Sequence, residues 1–213
     1  MKNNGLMILL FLLLISETVK GQIHLGLKGG LNYVNNEVLN APGGSDRDNQ
    51  YRFGYHAGIF AQIQCLDKLS LRPELLFSNK GYKFEGSGNA QPAGGGSLHL
   101  NYINLPILIG YEIVDKLTFS VGPELGYLLS AKSKFDSEII DVKSIWDNEF
   151  DFGLSTGVSY SLDEKVIIGI RYTHGLSSVL GNIVSRDANG VPLSSNVKYQ
   201  NRAFQLSIAY QFK

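Results

Sequence analysis

The chain has 213 residues, and its 19 Lys plus Arg balance its 19 Asp plus Glu, so no basic excess indicates nucleic-acid binding. A single cysteine excludes an intrachain disulfide framework, and 44% hydrophobic residues argue against disorder. With 24 Gly, 11 Tyr and 11 Phe but only 18% charged residues, the composition favours a β-type chain over a helical bundle.

The N-terminal segment has the layout of an export signal. Lys2 precedes an apolar run over residues 6–15, and a short polar stretch follows. An apolar run of this length is typical of a signal peptide and is too short for a spanning helix. The sequence therefore predicts a signal peptide over residues 1–21, cleaved after Gly21, and a mature domain over residues 22–213.

From residue 23 onward, apolar residues alternate with small or polar ones. Leu25 and Leu27, for example, flank Gly26, and this period of two is the pattern of a strand with one apolar face. The pattern recurs over residues 23–33, 51–63, 69–80, 102–111, 117–129, 150–160, 166–175 and 204–212. These eight strands are longer than the five or six residues typical of soluble sheets and suit a tilted membrane-spanning strand of about 9–11 residues.

Short and long connections between these strands alternate along the chain. The tight ones cover residues 65–68, 112–116 and 161–165, and the long ones cover residues 35–50, 85–97, 131–148 and 179–198. An up-and-down meander then places every long loop at one end, as in outer-membrane barrels with periplasmic turns and extracellular loops. The predicted fold is all-β, an eight-stranded antiparallel up-and-down transmembrane β-barrel.

The chemistry of the two strand faces distinguishes a membrane barrel from a soluble one. The apolar face carries bulky Tyr, Phe, Leu and Ile, whereas the other face carries Gly, Ser and a few charges. A soluble lipocalin-like barrel would need its bulky apolar face inside, where eight strands leave little room. We therefore expect the apolar face to contact lipid, with aromatic girdles at both membrane interfaces. The alternative is an antiparallel sandwich that buries one face of its sheets.

Several short motifs follow one another along the mature chain. They are the opening run over residues 26–32, Leu71-Arg72-Pro73-Glu74-Leu75-Leu76-Phe77 with Lys80-Gly81, the run over residues 100–106, Gly122-Pro123-Glu124-Leu125-Gly126-Tyr127, Phe150-Asp151-Phe152-Gly153, the run over residues 171–176 and the closing strand to Phe212. Together they resemble the PorT-like outer-membrane β-barrel family of Gram-negative bacteria. The resemblance spans the mature chain, and the order and spacing of the motifs are specific for the fold rather than for an activity.

The resemblance implies a location in the outer membrane and contact with its lipid. It also implies insertion by the barrel-assembly machinery, which reads a C-terminal aromatic; here that residue is Phe212, followed by Lys213. Some relatives serve protein secretion, so secretion or surface proteins are expected partners. The chain is expected to be a monomer.

Charged residues on the strand face that carries small and polar side chains are the main chemically distinctive group in the sequence. By strand parity the residues that point into the lumen are Lys28, Arg52, Arg72, Glu74, Glu124, Asp151 and Arg171. A narrow lumen penalises unpaired charges, so these residues are expected to form an ion-pair network. The network is interpreted as a polar plug that fixes the barrel register, or alternatively as part of a gated pore or proton path.

No residue pattern predicts a catalytic, metal or cofactor site. The four histidines, His24, His56, His99 and His174, lack metal-ligand spacing. Two weaker patterns are a hydrolase-like set of His174 with Ser177 or Ser178 and Asp136, and a calcium-loop fragment over residues 187–190 that no glutamate closes.

Two single residues stand out in the connections. Cys65 in a tight turn is expected to be a free thiol, and Trp146 in the third long loop is expected to anchor a partner or to contact lipid headgroups. The sequence thus favours a non-enzymatic outer-membrane barrel with a closed lumen, whose loops or turns interact with partners. A small-solute channel is the alternative function.

Overall fold

The computed structural model describes residues 23–40, 49–85, 95–135, 138–146, 148–179 and 198–212; the predicted signal peptide lies outside these residues. The strands are β1 (Ile23–Leu39), β2 (Arg52–Leu66), β3 (Leu69–Phe84), β4 (Gly96–Val114), β5 (Leu117–Phe135), β6 (Glu138–Asp141), β7 (Phe150–Ser161), β8 (Val166–Gly175) and β9 (Lys198–Gln211). A short 3-10 helix, Lys143–Ile145, lies between β6 and β7.

Eight of these strands close into a ring. Each pairs antiparallel with its neighbour in the order β1, β2, β3, β4, β5, β7, β8, β9, and β9 pairs back onto β1. The closing pair is long, from Gly26↔Gln211 to Leu39↔Lys198. The predicted eight-stranded antiparallel up-and-down barrel is confirmed, and β6 is an additional strand that pairs only with the far end of β5.

The tight connections and both ends of the described chain lie at one end of the barrel, which we call the turn end. Backbone hydrogen bonds from Phe212 to Leu25 and from Gln211 to Lys165 tie the last strand in at this end. The opposite end, which carries the long connections, we call the loop end.

Strands extend further toward the loop end than the sequence predicts. β1 continues to Leu39 and pairs with β9, and β5 continues to Phe135 and pairs with β6, so the long connections predicted over residues 35–50 and 131–148 are partly strand. The physical reason is that the outward positions here are polar; on β1 they continue as Asn35 and Glu37 after Leu31 and Tyr33. Hydropathy alternation cannot detect a strand whose outer face is no longer apolar.

The strand faces follow the predicted parity. Along β1 and β9 the bulky apolar side chains point outward and are exposed, as with Leu31, Leu206 and Ile208. Their neighbours Asn32 and Gln205 are buried inside the ring. The eleven residues from Ile23 to Tyr33, tilted as barrel strands are, span roughly the 25 Å of an outer-membrane apolar band.

Aromatic side chains collect at the two edges of this apolar band. Toward the loop end, Tyr33 stacks on Tyr51 with ring centroids 4.6 Å apart, and Tyr172 lies 4.7 Å from Phe204. Toward the turn end the exposed aromatic residues include Tyr111, Tyr160, Tyr210 and Phe212. This is the two-girdle arrangement of membrane barrels. The described residues include no helix of the length and apolarity needed to cross a membrane.

Candidate functional site in the barrel lumen

The lumen is where the chemically distinctive side chains meet. Six of the seven residues predicted to point inward are buried, and Arg72 is half-buried. They separate into two groups at different depths, with Arg52 apart from both. We call these groups the Glu74 cluster (Lys28, Arg72, Glu74 and Arg171) and the Glu124 cluster (Lys80, Glu124 and Asp151).

Glu74 is the only carboxylate of the Glu74 cluster, which lies nearer the turn end. Arg171 donates to both of its oxygens, with Nη1–Oε2 and Nη2–Oε1 distances of 2.8 and 2.7 Å. Lys28 Nζ approaches the same two oxygens at 3.2 and 3.0 Å. Three strands, β1, β3 and β8, supply these groups, so the cluster joins strands across the barrel interior.

Arg72 belongs to the Glu74 cluster by proximity but forms no ion pair among the described residues. Its guanidinium donates to Gln62 Oε1 at 2.6 Å and lies 4.6 Å from the centroid of the Phe60 ring. The Glu74 cluster therefore contains three cations and one anion.

The Glu124 cluster lies nearer the loop end and has two carboxylates. Lys80 Nζ lies 3.1 Å from Glu124 Oε1 and 3.5 Å from Asp151 Oδ2. Neutral donors contact both carboxylates: Asn104 and Ser155 hydrogen-bond to Glu124 at 2.6 and 2.9 Å, and Asn201 donates to Asp151 at 2.7 Å. These hydrogen bonds satisfy buried oxygens that would otherwise be costly to remove from water.

Two further lumen cations were not among the seven predicted residues. Lys80 lies at the end of the predicted strand over residues 69–80 and has the same parity as Arg72 and Glu74, so the parity rule itself identifies it. Arg202 on β9 is buried and pairs with Glu37, and both lie in strand extensions that hydropathy does not reveal.

Arg52 lies near the loop end, outside both clusters. It donates to Asn79 Oδ1 at 2.9 Å and to the Lys80 carbonyl at 2.8 Å, and its other nitrogen lies 2.9 Å from His99 Nδ1. The prediction that Arg52 shares a network with the lumen carboxylates is wrong for the described residues. Its neighbouring carbonyl and amide groups satisfy it locally instead.

Side chains of the wall fill the space between the clusters. His56 Nδ1 contacts Asn32 Oδ1 at 2.7 Å, and Asn32 donates to Ser78 Oγ at 3.0 Å. A Cβ added at Gly126 would lie 3.3 Å from Asp151 Cβ and 3.2 Å from Asn104 Nδ2. The middle of the lumen therefore has little room even for a methyl group.

Above the Glu124 cluster an apolar group, which we call the cap, fills the loop end of the lumen. Its buried members are Leu98, Leu100, Tyr102, Leu128, Ala131, Trp146 and Val179. The segment after β5 folds back over the lumen, held by a hydrogen bond from the Val142 amide to the Ala131 carbonyl. Trp146 is 5% exposed, so the expectation that it anchors a partner or contacts lipid headgroups is wrong.

An exposed ion pair holds the folded-back segment after β5 near the start of β7. Glu149 accepts a hydrogen bond of 2.6 Å from the Tyr127 hydroxyl and lies 3.0 Å from Lys143 Nζ. The Tyr127 hydroxyl, and after it the Lys143 ammonium, lowers the pKa of the Glu149 carboxyl below its usual value.

Below the Glu74 cluster the lumen opens into a polar space at the turn end, which we call the vestibule. Its open volume is about 350 Å³, which includes solvent at the mouth. It is lined by Gln62, Ser70, Arg72, Gly110, Thr118, Ser120, Ser159, Ser161 and Ile167. Lys28 and Arg171 line the adjoining space toward the middle of the lumen.

The weaker chemical patterns do not come together in the described residues. Ser177 Oγ donates to Asp151 at 3.0 Å and not to His174, whose Nδ1 lies 3.4 Å from the Tyr172 hydroxyl. Asp136 and the calcium-loop fragment over residues 187–190 lie outside the described residues. Cys65 is an exposed free thiol, and the described part of the chain has no group of three metal-ligating side chains.

The closed ring, the lipid-type outer face and the charged interior define a transmembrane barrel of the outer-membrane class. The family model described as "Outer membrane protein beta-barrel domain" matches residues 16–181. The chain belongs to this family, which indicates the outer membrane as its location.

Solved structures that are similar to this chain have low sequence identity to it. Neisserial surface protein A is 12% identical with a TM-score of 0.53, over 88% of this chain and 97% of that chain. Ail of Yersinia pestis, solved with a heparin analogue, is 13% identical with a TM-score of 0.48 over 90% and 99%. OprG of Pseudomonas aeruginosa is 12% identical with a TM-score of 0.44 over 92% and 98%. No protein with curated annotation matches the sequence significantly.

Proposed function

We propose that this protein is a non-enzymatic outer-membrane barrel with a closed lumen, and that it acts through its surface-exposed loops or periplasmic turns rather than by transport. The observation that carries the proposal is the stack of three layers inside the ring. From the loop end inward these are the cap, the Glu124 cluster and the Glu74 cluster. A solute would have to displace all three layers to pass.

The energetic argument concerns what an open state would cost. Passage through the Glu74 cluster requires separation of Glu74 from Arg171 and Lys28, each held at about hydrogen-bond distance. Truncating one partner of a buried pair costs about 3–5 kcal/mol, so a rearrangement of both clusters at once would be rare at equilibrium. A plugged lumen that fixes the strand register is the role we assign to these charges.

Orientation follows from the class of barrel. In bacterial outer-membrane barrels the short turns are periplasmic and the longer loops are extracellular. The cap then faces the cell exterior and the vestibule faces the periplasm. Export through the signal peptide over residues 1–21, insertion by the barrel-assembly machinery with Phe212 as its aromatic signal, and a monomeric state belong to the same proposal.

The narrower PorT-like assignment would add an accessory role in secretion, with secretion or surface proteins as partners. That role rests on the resemblance of the short sequence motifs alone. Co-purification of the epitope-tagged protein from cross-linked outer membranes, with a secretion-deficient strain as the control, tests it directly.

Single-channel recording in planar bilayers tests the closed lumen. We expect no stable conductance from the refolded mature protein, and none from Trp146→Ala, because the two charged clusters remain when the cap is weakened. A reproducible conductance from the unaltered protein would contradict the proposal and favour the small-solute channel. A conductance from Trp146→Ala alone would show that the cap is the sole barrier.

A further inference from the structure

We propose that the vestibule binds a small free oxyanion of the phosphate class, with Arg72 as its principal ligand. The site faces the periplasmic side in the orientation given above. It is separate from the surface interactions proposed as the function of the barrel, and it depends only on the cations and hydroxyls at the turn end of the lumen.

The first argument is the charge surplus of the Glu74 cluster. Glu74 already receives Lys28 and both terminal nitrogens of Arg171, so its two oxygens are occupied by these donors. Lys28, Arg72 and Arg171 line one and the same space in the lumen. Three cations in a confined space beside one carboxylate favour the entry of a counter-anion.

The second argument is the free hydrogen-bonding capacity of Arg72. A guanidinium has five N–H donors, and among the described residues the polar contact of this one is with Gln62 Oε1. Phe60 covers one face of the group, and the side chain lines the vestibule. A planar guanidinium with an open donor edge is suited to bidentate recognition of an oxyanion.

The third argument is the lining of the vestibule. Ser70, Thr118 and Ser120 line the same open space as Arg72; the Ser120 hydroxyl also lies 3.5 Å from the Gly157 carbonyl. A Cβ at Gly110 would lie 2.8 Å from Ser70 Oγ, so the glycine lets this hydroxyl pack against the strand backbone at the edge of the space. Charged and neutral polar groups that line one solvent-open space favour a tetrahedral anion over an apolar ligand.

A phosphate group could arrive either as a free anion or on a phospholipid headgroup. The vestibule is enclosed by the strand ring and lined by inward-facing residues. A headgroup would have to bend around the turn end while its acyl chains remain in the bilayer. We therefore assign the site to a free anion and distinguish the two sources in the experiment.

The experiment is calorimetric titration of inorganic phosphate into the refolded mature chain. The detergent is non-ionic and free of phosphate, ionic strength is constant, and chloride is the comparison anion. We expect saturable phosphate binding that Arg72→Gln weakens by about tenfold or more, the loss expected for charge-assisted hydrogen bonds. Arg52→Gln is the matched control. Arg52 is also a lumen arginine without a carboxylate partner among the described residues, but it lies at the loop end. The Arg52→Gln variant should keep a phosphate affinity within about twofold of that of the unaltered protein.

Ser120→Asp is the second variant and keeps Arg72 in place. A carboxylate in the vestibule should occupy the cationic site from within and abolish phosphate binding, whereas Ser120→Asn should not. These variants decide the matter even if Arg72→Gln fails to refold. No saturable binding to the unaltered protein, or equal binding to Ser120→Asp, would overturn the proposal.

A final arm separates the two sources of phosphate. The titration is repeated in phosphatidylcholine vesicles, whose headgroups carry phosphate but no net charge, and binding of free phosphate should match that in the phosphate-free detergent. A loss of about tenfold in the vesicles would show that a lipid headgroup occupies the vestibule and would overturn the assignment to a free anion.

Discussion

At the loop end the lumen is filled by apolar side chains from strands and from a folded-back connection, whereas at the turn end it is lined by hydroxyls, glycines and surplus cations. The cap includes Leu100, Leu128 and Trp146, all essentially buried. The vestibule holds Ser120 and Thr118 around Arg72 and opens to solvent. The turn end also has a small buried apolar group, Phe60, Ile167 and Ala209, beside these polar residues. Hydrophobic packing thus fills one mouth of the barrel, and at the other mouth a small apolar group lies beside solvated polar groups.

The difference follows from the lengths of the connections. Two-residue turns such as Asp67–Lys68 leave no chain to fold over the turn end. The long connection after β5 can fold back, and it carries Trp146 into the lumen. The folded-back segment over residues 138–146 can open separately from the strands of the ring, so this part of the cap is expected to be locally less stable than the ring.

The largest effect is expected from removal of the carboxylate that holds the Glu74 cluster together. Glu74→Gln leaves Lys28, Arg72 and Arg171 without an anion, and loss of one partner in such a buried group costs about 3–5 kcal/mol. Reversible urea unfolding in lipid vesicles measures this cost. The matched control is Glu149→Gln at the loop end, an exposed carboxylate whose loss should leave the unfolding midpoint nearly unchanged. Equal effects would show that the Glu74 cluster does not stabilise the barrel.

Deletion of similar apolar volume at the two ends should have unequal effects. Leu100→Ala removes packing from the interior of the cap, where the cavity cannot fill with water, and should cost about 2–5 kcal/mol. Ile167→Ala at the edge of the vestibule should cost less, because solvent already reaches this space. Urea unfolding of both variants tests the comparison, and a larger loss for Ile167→Ala would mean that the vestibule is the better packed end.

Strand parity explains how much of this arrangement the sequence predicts. A period of two assigns each side chain to lipid or lumen, and for Lys28, Glu74 and Arg171 it gives the inward face on which they are found. The pairing partners lie 46 and 97 residues apart in sequence, at depths set by the stagger between strands. Parity carries no information on that stagger, so it could not show that Arg52 stands apart or that two clusters form.

The cap could not be predicted for a different reason. Trp146 lies in a segment without strand periodicity, and a lone aromatic in a loop has no pattern that distinguishes an inward from an outward position. The register of β4 and β5 also shifts near Tyr102, a bulge that alternation of hydropathy does not reveal.

An intermediate, local effect is expected from weakening the cap at its connection. Trp146→Ala should increase amide hydrogen exchange and proteolysis of residues 138–149, because the folded-back segment can open while the ring stays closed. Exchange in β1 and β9 should stay unchanged. Hydrogen exchange by mass spectrometry in lipid vesicles measures both regions. A uniform rise over all strands would contradict a separately opening cap.

The smallest effects are expected from two exposed carboxylates whose pKa values are lowered by different means. At the loop end the Tyr127 hydroxyl, and after it Lys143, lowers the pKa of Glu149; at the turn end the backbone amides of Lys165 and Val166, each 2.7 Å away, lower the pKa of Asp163.

Because each folded-state pKa lies below its unfolded value, each carboxylate stabilises its segment above the unfolded pKa, and this stabilisation is lost as pH falls through the folded pKa. Side-chain carboxyl NMR shifts should therefore give midpoints below about 4.3 for Glu149 and about 3.9 for Asp163. Added salt should raise the Glu149 midpoint in particular, since the Lys143 charge contributes to it, whereas the amide hydrogen bonds of Asp163 are short-range. If added salt moves the titration midpoint of Asp163 more than that of Glu149, then the causes assigned to the two lowered pKa values are wrong.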